Sequence, residues 1–324
     1  MKKILLSGIQ PSGKLHIGNY FGAIKQFVEL EKSHECFIFI ANYHALTTLG
    51  DKKTLVENTL EVAADYLALG LDPKVSALFM QSDVPEVTEL AWIFETITTM
   101  PYLMRAHAWK DAHVKTKEIN VGLFNYPMLM AADILIQDAD VVPVGADQKQ
   151  HVEYARDTAE KFNRLYGETF KLPESLILKD VAVVPGTDGR KMSKSYGNTI
   201  PLFAEHEEIK NAVMSIQTDS KDVDEPKDPE KCNVFALYKL FGDKDELSAL
   251  AERYQKGKIG YKESKELLIE KIESFIKPFR QKRKEILKNP EELKIVLKNG
   301  GERAREKAML KMAEVREKTG LSLS

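Results

Sequence analysis

The strongest constraint on the fold lies in the first thirty residues. Ile4-Leu5-Leu6 is a short apolar run of the kind that forms a buried strand. From Phe21, apolar residues at Ala23, Ile24, Phe27, Val28 and Leu30 recur at helical spacing. Between the two runs lies Ser7-Gly8-Ile9-Gln10-Pro11-Ser12-Gly13-Lys14-Leu15-His16-Ile17-Gly18-Asn19-Tyr20. Glycine at a strand-to-helix turn lets backbone approach a ligand closely. The free N–H groups and the dipole at the helix start favour an anion. A phosphate-bearing ligand at the carboxyl end of the first strand is the expectation.

The next residues repeat the alternation. Strands are expected at Lys3–Ser7, Cys36–Ala41, Ala77–Gln81 and Val141–Val144. Helices are expected at about Lys53–Leu69, Glu86–Met100, Met128–Gln137 and Gln148–Leu165. This pattern implies a parallel sheet with helices on both faces and a ligand at the carboxyl ends of its strands. From about Glu205 only helical periods continue: Glu208–Ile216, Val234–Phe241, Glu246–Gln255, Tyr261–Lys284, Pro290–Lys298 and Ala304–Thr319. The expected division is an α/β domain over residues 1–195 and a helical domain over 196–324, the last helix able to pack back on the first domain.

Composition excludes some classes. Of the 324 residues, 43% are hydrophobic and 30% charged, as in ordinary globular proteins. No apolar stretch is long enough to span a bilayer, and three apolar residues after two lysines are too few for a signal peptide. A cytoplasmic location follows as the expectation. Cys36 and Cys232 stand far apart and read as reduced, buried thiols. The net charge of −2 is uneven. Residues 251–324 hold 20 Lys+Arg against 12 Asp+Glu, leaving 27 against 37 for residues 1–250. A basic C-terminal segment suits a polyanion such as RNA.

A second chemistry-bearing stretch follows the apolar Val181-Ala182-Val183-Val184. It reads Gly186-Thr187-Asp188-Gly189-Arg190-Lys191-Met192-Ser193-Lys194-Ser195. A glycine-rich loop with two lysines and two serines suits phosphate charge that appears and leaves during a reaction. Together, P-x-x-x-x-H-I-G-N and K-M-S-K-S resemble the HIGH and KMSKS signatures of class I aminoacyl-tRNA synthetases. Two further stretches, Tyr126-Pro127-Met128-Leu129-Met130-Ala131-Ala132-Asp133-Ile134-Leu135 and Val142-Pro143-Val144-Gly145-Ala146-Asp147-Gln148-Lys149-Gln150-His151, narrow the resemblance to the bacterial tryptophanyl-tRNA synthetases. The tyrosyl enzymes share the fold and the reaction, but Leu129–Leu135 argues against them.

The resemblance implies a Rossmann-like sheet bearing both signature loops, followed by an all-helical anticodon-binding domain. It implies activation of L-tryptophan with ATP and Mg²⁺, release of pyrophosphate, and transfer of tryptophan to tRNA(Trp) by a homodimer. It assigns Asp133 to the indole N–H. A carboxylate in an apolar slot selects for that donor and is left unpaired by phenylalanine. Met130 lines the slot, Tyr126 and Gln148 hold the substrate ammonium, and His44 is a pocket residue. Lys194, Lys191, His16 and Asn19 are the expected catalytic group. Gln10, Pro11, Ser12, Gly18 and Asn19 match ATP contacts of the first turn. Gly145, Ala146 and Asp147 match adenosine contacts, and Val183 or Val184 offers backbone to the adenine. Lys191, Met192, Ser193, Lys194 and Ser195 match the pyrophosphate loop.

Two departures stand out. Arg105-Ala106-His107-Ala108-Trp109-Lys110 replaces a family segment reading R-M-T-Q-F-K. Lys231-Cys232-Asn233-Val234-Phe235 resembles a subgroup carrying a four-cysteine iron–sulfur cluster, yet only Cys232 is present. Tyr254, Tyr261 and Ser264 stand roughly where the other thiolates would be, so no cluster is expected. Anticodon contacts are expected from the basic run Lys277–Lys284, and the apolar run Val121–Leu135 is a candidate dimer interface.

Overall fold

The computed structural model describes residues 2–11, 13–105, 120–144, 149–177 and 184–323. Its strands are β1 (Lys3–Ile9), β2 (His34–Ile40), β3 (Ala77–Met80), β4 (Val141–Val144) and β5 (Glu174–Ile177). They form one parallel sheet in the order β3-β2-β1-β4-β5. Leu5 sets the centre, opposite Cys36 on one side and Val141 on the other. Successive residues of β1 and β2 are buried, as both faces of a parallel sheet are covered. The strand order reverses between β1 and β4, the crevice where α/β sheets bind ligands. The α/β reading therefore holds. β5 is a fifth strand beyond the four expected. It is four residues long, sits at the edge and carries only two apolar residues, so its periodicity is weak.

The helices are α1 (Ile17–Asn19), α2 (Lys25–Leu30), α3 (Asn42–Ala45), α4 (Lys52–Ala68), α5 (Glu86–Ile97), α6 (Met100–Leu103) and α7 (Val121–Ile136). They continue with α8 (Lys149–Tyr166), α9 (His206–Met214), α10 (Asn233–Tyr238), α11 (Lys244–Gln255), α12 (Tyr261–Lys288) and α13 (Pro290–Thr319). α7 begins seven residues before the expected start. Asn120 caps it by accepting the Leu123 N–H at 2.8 Å, and Pro127 is carried inside the helix. α13 is one helix where two were expected. The pair Gly300-Gly301 reads as a break, but a Cβ at Gly300 would lie 2.0 Å from the Leu78 carbonyl oxygen. Gly300 is there for close packing against β3, and Gly301, whose Cβ would lie 2.6 Å from Asp83 Cβ, for packing on the turn that follows it.

Packing groups the chain differently from a cut at residue 195. One compact unit comprises residues 1–13, 27–179 and 289–324; the other comprises 14–26 and 180–288. The first holds the sheet. Leu6, Phe37, Phe79, Leu90, Phe94, Met128, Ile134 and Phe162 fill its core, joined by Ala304, Ala308, Met312 and Val315 of α13. α13 is also tied by Arg316 to Glu89 at 2.5 Å and by Arg303 to the Ser76 carbonyl at 3.3 Å.

The second unit is helical. Between α1 and α2 the chain makes a π-helical turn at Tyr20–Ile24. Tyr20 and Phe21 enter an aromatic cluster with Phe241, Phe275 and Phe279, with ring centroids 5.0–5.9 Å apart. Cys232 Sγ meets the Tyr254 hydroxyl at 3.5 Å, and that hydroxyl is hydrogen-bonded to Ser264 Oγ. The buried Lys227 ammonium donates to the carbonyls of Asp222, Val223 and Glu225 and so orders the polar loop before α10.

Candidate active site

In the first unit the site is built around Asp133 on α7, which is 4% exposed. The ends of β2 and β3 deliver its partners. His44, on the short α3 that follows β2, places Nε2 3.0 Å from Asp133 Oδ2. Gln81, at the end of β3, donates from Nε2 to Oδ1 at 2.9 Å and Oδ2 at 2.8 Å. Gln81 Oε1 accepts the backbone N–H of Tyr43 at 3.0 Å and of His44 at 3.3 Å. Those two donors fix the orientation of the carboxamide, so its NH₂ must face the carboxylate. Burial pushes the Asp133 carboxyl above its ordinary range, while His44 and Gln81 pull it back. Three acceptor positions of the carboxylate are filled, and about four exist, so one further donor can be taken.

The His44 ring stands edge-on to Tyr126, with centroids 6.3 Å apart. The Tyr126 hydroxyl is 2.9 Å from His151 Nε2, and burial raises its phenol to about 12. A cavity of about 360 Å³ opens beside these rings, lined by Tyr43, His44, Trp92, Glu95, Tyr126 and Leu129 among others. Met130 packs half-buried against the core. Gln10 is exposed at the end of β1, and the carbonyl of the buried Pro11 accepts from Asn58 at 3.0 Å.

The second unit brings the two signature stretches together. A Cβ on Gly18 would lie 2.9 Å from His16 Nδ1 and 3.3 Å from Met192 Cβ. His16 opens α1, and its backbone N–H donates to Asn19 Oδ1 at 3.0 Å. Backbone bonds from Ile17 to Ile200 and from Leu202 to Leu15 fasten this turn beyond the second signature. The His16 ring is buried, and its Nδ1 has no hydrogen-bond partner. Burial, and then the nearby Lys194 charge, lower its pKa to about 4. At neutral pH the imidazole is uncharged, with one nitrogen a donor and the other an acceptor. Met192 is buried, while Lys191, Lys194 and Ser195 face solvent. Ser193 and Ser195 hydroxyls are 2.9 Å apart.

Ser12, Gly145, Ala146, Asp147, Gln148 and Val183 lie outside the described residues, as does 106–110 of the altered segment. Gln81 is the residue that sequence reasoning missed. A glutamine ending a strand carries no motif, though its place after Leu78-Phe79-Met80 at a strand's carboxyl end was a usable signal. Among the described residues no three His, Cys, Asp or Glu side chains converge as a metal cage. No described helix is long and apolar enough to cross a membrane.

Comparison with known proteins gives consistent results. The family model for tRNA synthetases class I (W and Y) matches residues 2–277. A tryptophan–tRNA ligase of Fusobacterium nucleatum is 53% identical over 317 residues, covering 98% of this chain and 97% of that protein. The crystal structure of a Campylobacter jejuni tryptophanyl-tRNA synthetase complexed with ADP and tryptophan is similar at a TM-score of 0.94 and 50% identity, covering 98% of this chain and 99% of that one. A tryptophanyl-tRNA synthetase from Mycoplasma pneumoniae follows at 0.86 and 29%, covering 99% of each chain.

Proposed function

The chain belongs to the class I tRNA synthetases of the W and Y type and is a tryptophan–tRNA ligase, and from that premise we propose how its residues divide the work. Asp133 accepts the indole N–H of tryptophan in the position that His44 and Gln81 leave open. Met130 lines the slot, and Tyr126 and Gln148 take the ammonium group. The observation that carries this reading is the buried carboxylate held in three contacts by two fixed partners, His44 Nε2 and Gln81 Nε2. Such a site binds a ring N–H donor and rejects an apolar ring, which would leave buried polar groups unpaired.

ATP lies along Gln10, Pro11, Ser12, Gly18 and Asn19, with its adenosine at Gly145, Ala146, Asp147 and the Val183 backbone. Lys191, Met192, Ser193, Lys194 and Ser195 hold the departing pyrophosphate. The tryptophan carboxylate attacks the α-phosphate in line; the bond to the β,γ-pyrophosphate breaks and tryptophanyl-adenylate forms. A ribose hydroxyl at the tRNA 3′ end then attacks the activated carbonyl and releases AMP. Neither step needs a covalent enzyme nucleophile, so catalysis is positioning and stabilisation of phosphate charge. Lys191 and Lys194 act as point charges. His16, neutral at pH 7, contributes a hydrogen bond and not a cation. Mg²⁺ enters with the nucleotide substrate, bound mainly by its phosphates.

The 196–324 region reads the anticodon of tRNA(Trp). Arg280 is held by Glu273 at 3.1 Å and Lys284 by Glu205 at 2.7 Å, which leaves the exposed Lys277 and Lys282 for phosphates. The enzyme works in the cytoplasm as a homodimer; within the candidate interface Val121–Leu135, Met128 and Ala131–Leu135 are buried in the core, so only the start of the run, with Val121 72% exposed, is left to meet a partner. Tryptophan-dependent ATP–pyrophosphate exchange tests the core of this reading. Lys194→Ala should bind tryptophan normally and exchange orders of magnitude more slowly. A near wild-type exchange rate removes the pyrophosphate role.

A further inference from the structure

The second signature loop is closed by one buried side chain. Asn198 is 2% exposed. Its Oδ1 accepts the Ser193 backbone N–H at 2.8 Å. Its Nδ2 donates to Asp188 Oδ1 at 2.7 Å and to the Lys191 carbonyl at 3.1 Å. Its own backbone carbonyl accepts the Thr187 N–H at 3.0 Å. The carboxamide orientation is fixed by these partners, since Ser193 offers only a donor there and Asp188 only an acceptor.

The flanking residues are arranged to admit it. A Cβ on Gly186 would lie 2.2 Å from Asn198 Nδ2, so the approach requires glycine. Gly197 has φ +63°, which turns the chain back and delivers Asn198 beneath the loop. Asp188 also accepts from Arg190 Nε at 2.7 Å. The Asn198 hydrogen bond, followed by Arg190, keeps the Asp188 carboxyl below its ordinary range. The Arg190 guanidinium in turn lies 4.5 Å from the Tyr196 ring centroid.

We propose that Asn198 is a positioning residue for adenylate formation, holding the Lys191–Lys194 backbone in the register that presents both lysines to the departing pyrophosphate. It touches no substrate. Through three hydrogen bonds it ties the Asp188 carboxylate three residues before the first lysine, the carbonyl of that lysine and the N–H just before the second. Charge stabilisation depends on donors held in advance where charge develops, and displacement by ~1 Å can cost ~100-fold in rate. The proposal rests on the pyrophosphate role given to the loop above.

The test is ATP–pyrophosphate exchange by Asn198→Ala, with Lys194→Ala alongside, and tryptophan affinity measured separately by equilibrium dialysis. Asn198→Ala should lower kcat by ~10- to 100-fold, with tryptophan affinity within about twofold of wild type. Asn198→Asp keeps the volume but sets a third acceptor against Asp188 and the Lys191 carbonyl, so it should lose at least as much. Asp188→Asn combined with Asn198→Asp restores a donor–acceptor pair and should recover about tenfold over Asn198→Asp alone. Wild-type kcat in Asn198→Ala, or a parallel loss of tryptophan affinity, overturns the proposal. Absence of recovery in the double variant also overturns it, and decides the matter if Asn198→Ala does not fold. Slow exchange by Lys194→Ala with normal exchange by Asn198→Ala refutes only the positioning role. Normal exchange by Lys194→Ala refutes the underlying reading.

Discussion

Gln81 Nε2 lies within 2.9 Å of both carboxylate oxygens of Asp133, and its Oε1 holds the backbone that carries His44. One carboxamide thus links the ends of two strands to α7. Hydrogen bonds to a charged group are worth about 1.5–3 kcal/mol. Gln81→Met keeps the length and removes every bond, so tryptophan KM in the exchange assay should rise ~10- to 100-fold. The variant should also push the Asp133 carboxyl further up, so that tryptophan binding weakens at a higher pH than in wild type as pH is lowered. An unchanged KM would remove Gln81 from the recognition set.

His16 gives a pH signature. Its folded pKa of about 4 lies below the ordinary imidazole value of 6.5. Between these values the unfolded chain binds a proton that the folded chain refuses. The stability associated with the neutral ring is therefore complete above pH 6.5 and is lost as pH falls toward 4. Urea midpoints of wild type and His16→Gln should run parallel above pH 6.5, and the wild type should lose stability relative to the variant as pH falls through that window. The imidazole resonance of His16 should titrate near pH 4, with no inflection from it in the exchange rate between about pH 6 and 8. A titration near 6.5 would contradict the buried, uncharged ring.

Gly300→Ala sets two effects against each other. Alanine is favoured over glycine inside a helix by about 1 kcal/mol. The added Cβ would stand 2.0 Å from the Leu78 carbonyl oxygen, a backbone atom that cannot swing aside. Overpacking of this kind costs about 1–3 kcal/mol and sometimes more. The clash should win, lowering stability by ~1–2 kcal/mol in urea denaturation. A stabilised variant would mean that α13 does not sit so tightly on β3.

Salt dependence should separate the two kinds of cation on α12. Replacing Lys277 and Lys282 with alanine should reduce the slope of log affinity for tRNA against log salt by roughly 1–2. Arg280→Ala should leave that slope alone and lower stability, since Arg280 is 13% exposed and bound to Glu273. Filter binding from about 50 to 200 mM salt measures both. Equal slopes for all three proteins would place the tRNA elsewhere.

The parallel sheet was legible because its strands are near-continuous apolar runs separated by helical periods, as in Cys36–Ala41 and Lys53–Leu69. Asp133 was legible as a carboxylate inside the apolar stretch Met128–Leu135, and burial bears that position out. Gln81 was not, because its importance comes from the partner it meets across the fold, 52 residues away. The unity of α13 was hidden for the same reason. Two adjacent glycines signal a break locally, and only the nearness of the Leu78 backbone and of Asp83 explains why the helix keeps them. The assignment of residues 14–26 to the helical unit was equally invisible, since it depends on Tyr20 and Phe21 meeting rings more than 200 residues later.

α13 lies against the backbone of β3, the strand at one end of the sheet, and β3 also delivers Gln81. A chain ending at residue 288 keeps every described strand of the sheet and every described helix of the second unit, but loses the helix that packs on the Leu78 backbone. Its outermost strand would stand open as a template for a neighbouring chain. The closing helix is therefore what keeps the sheet's edge from other chains, and loss of that segment should give aggregates and not a slightly shortened enzyme.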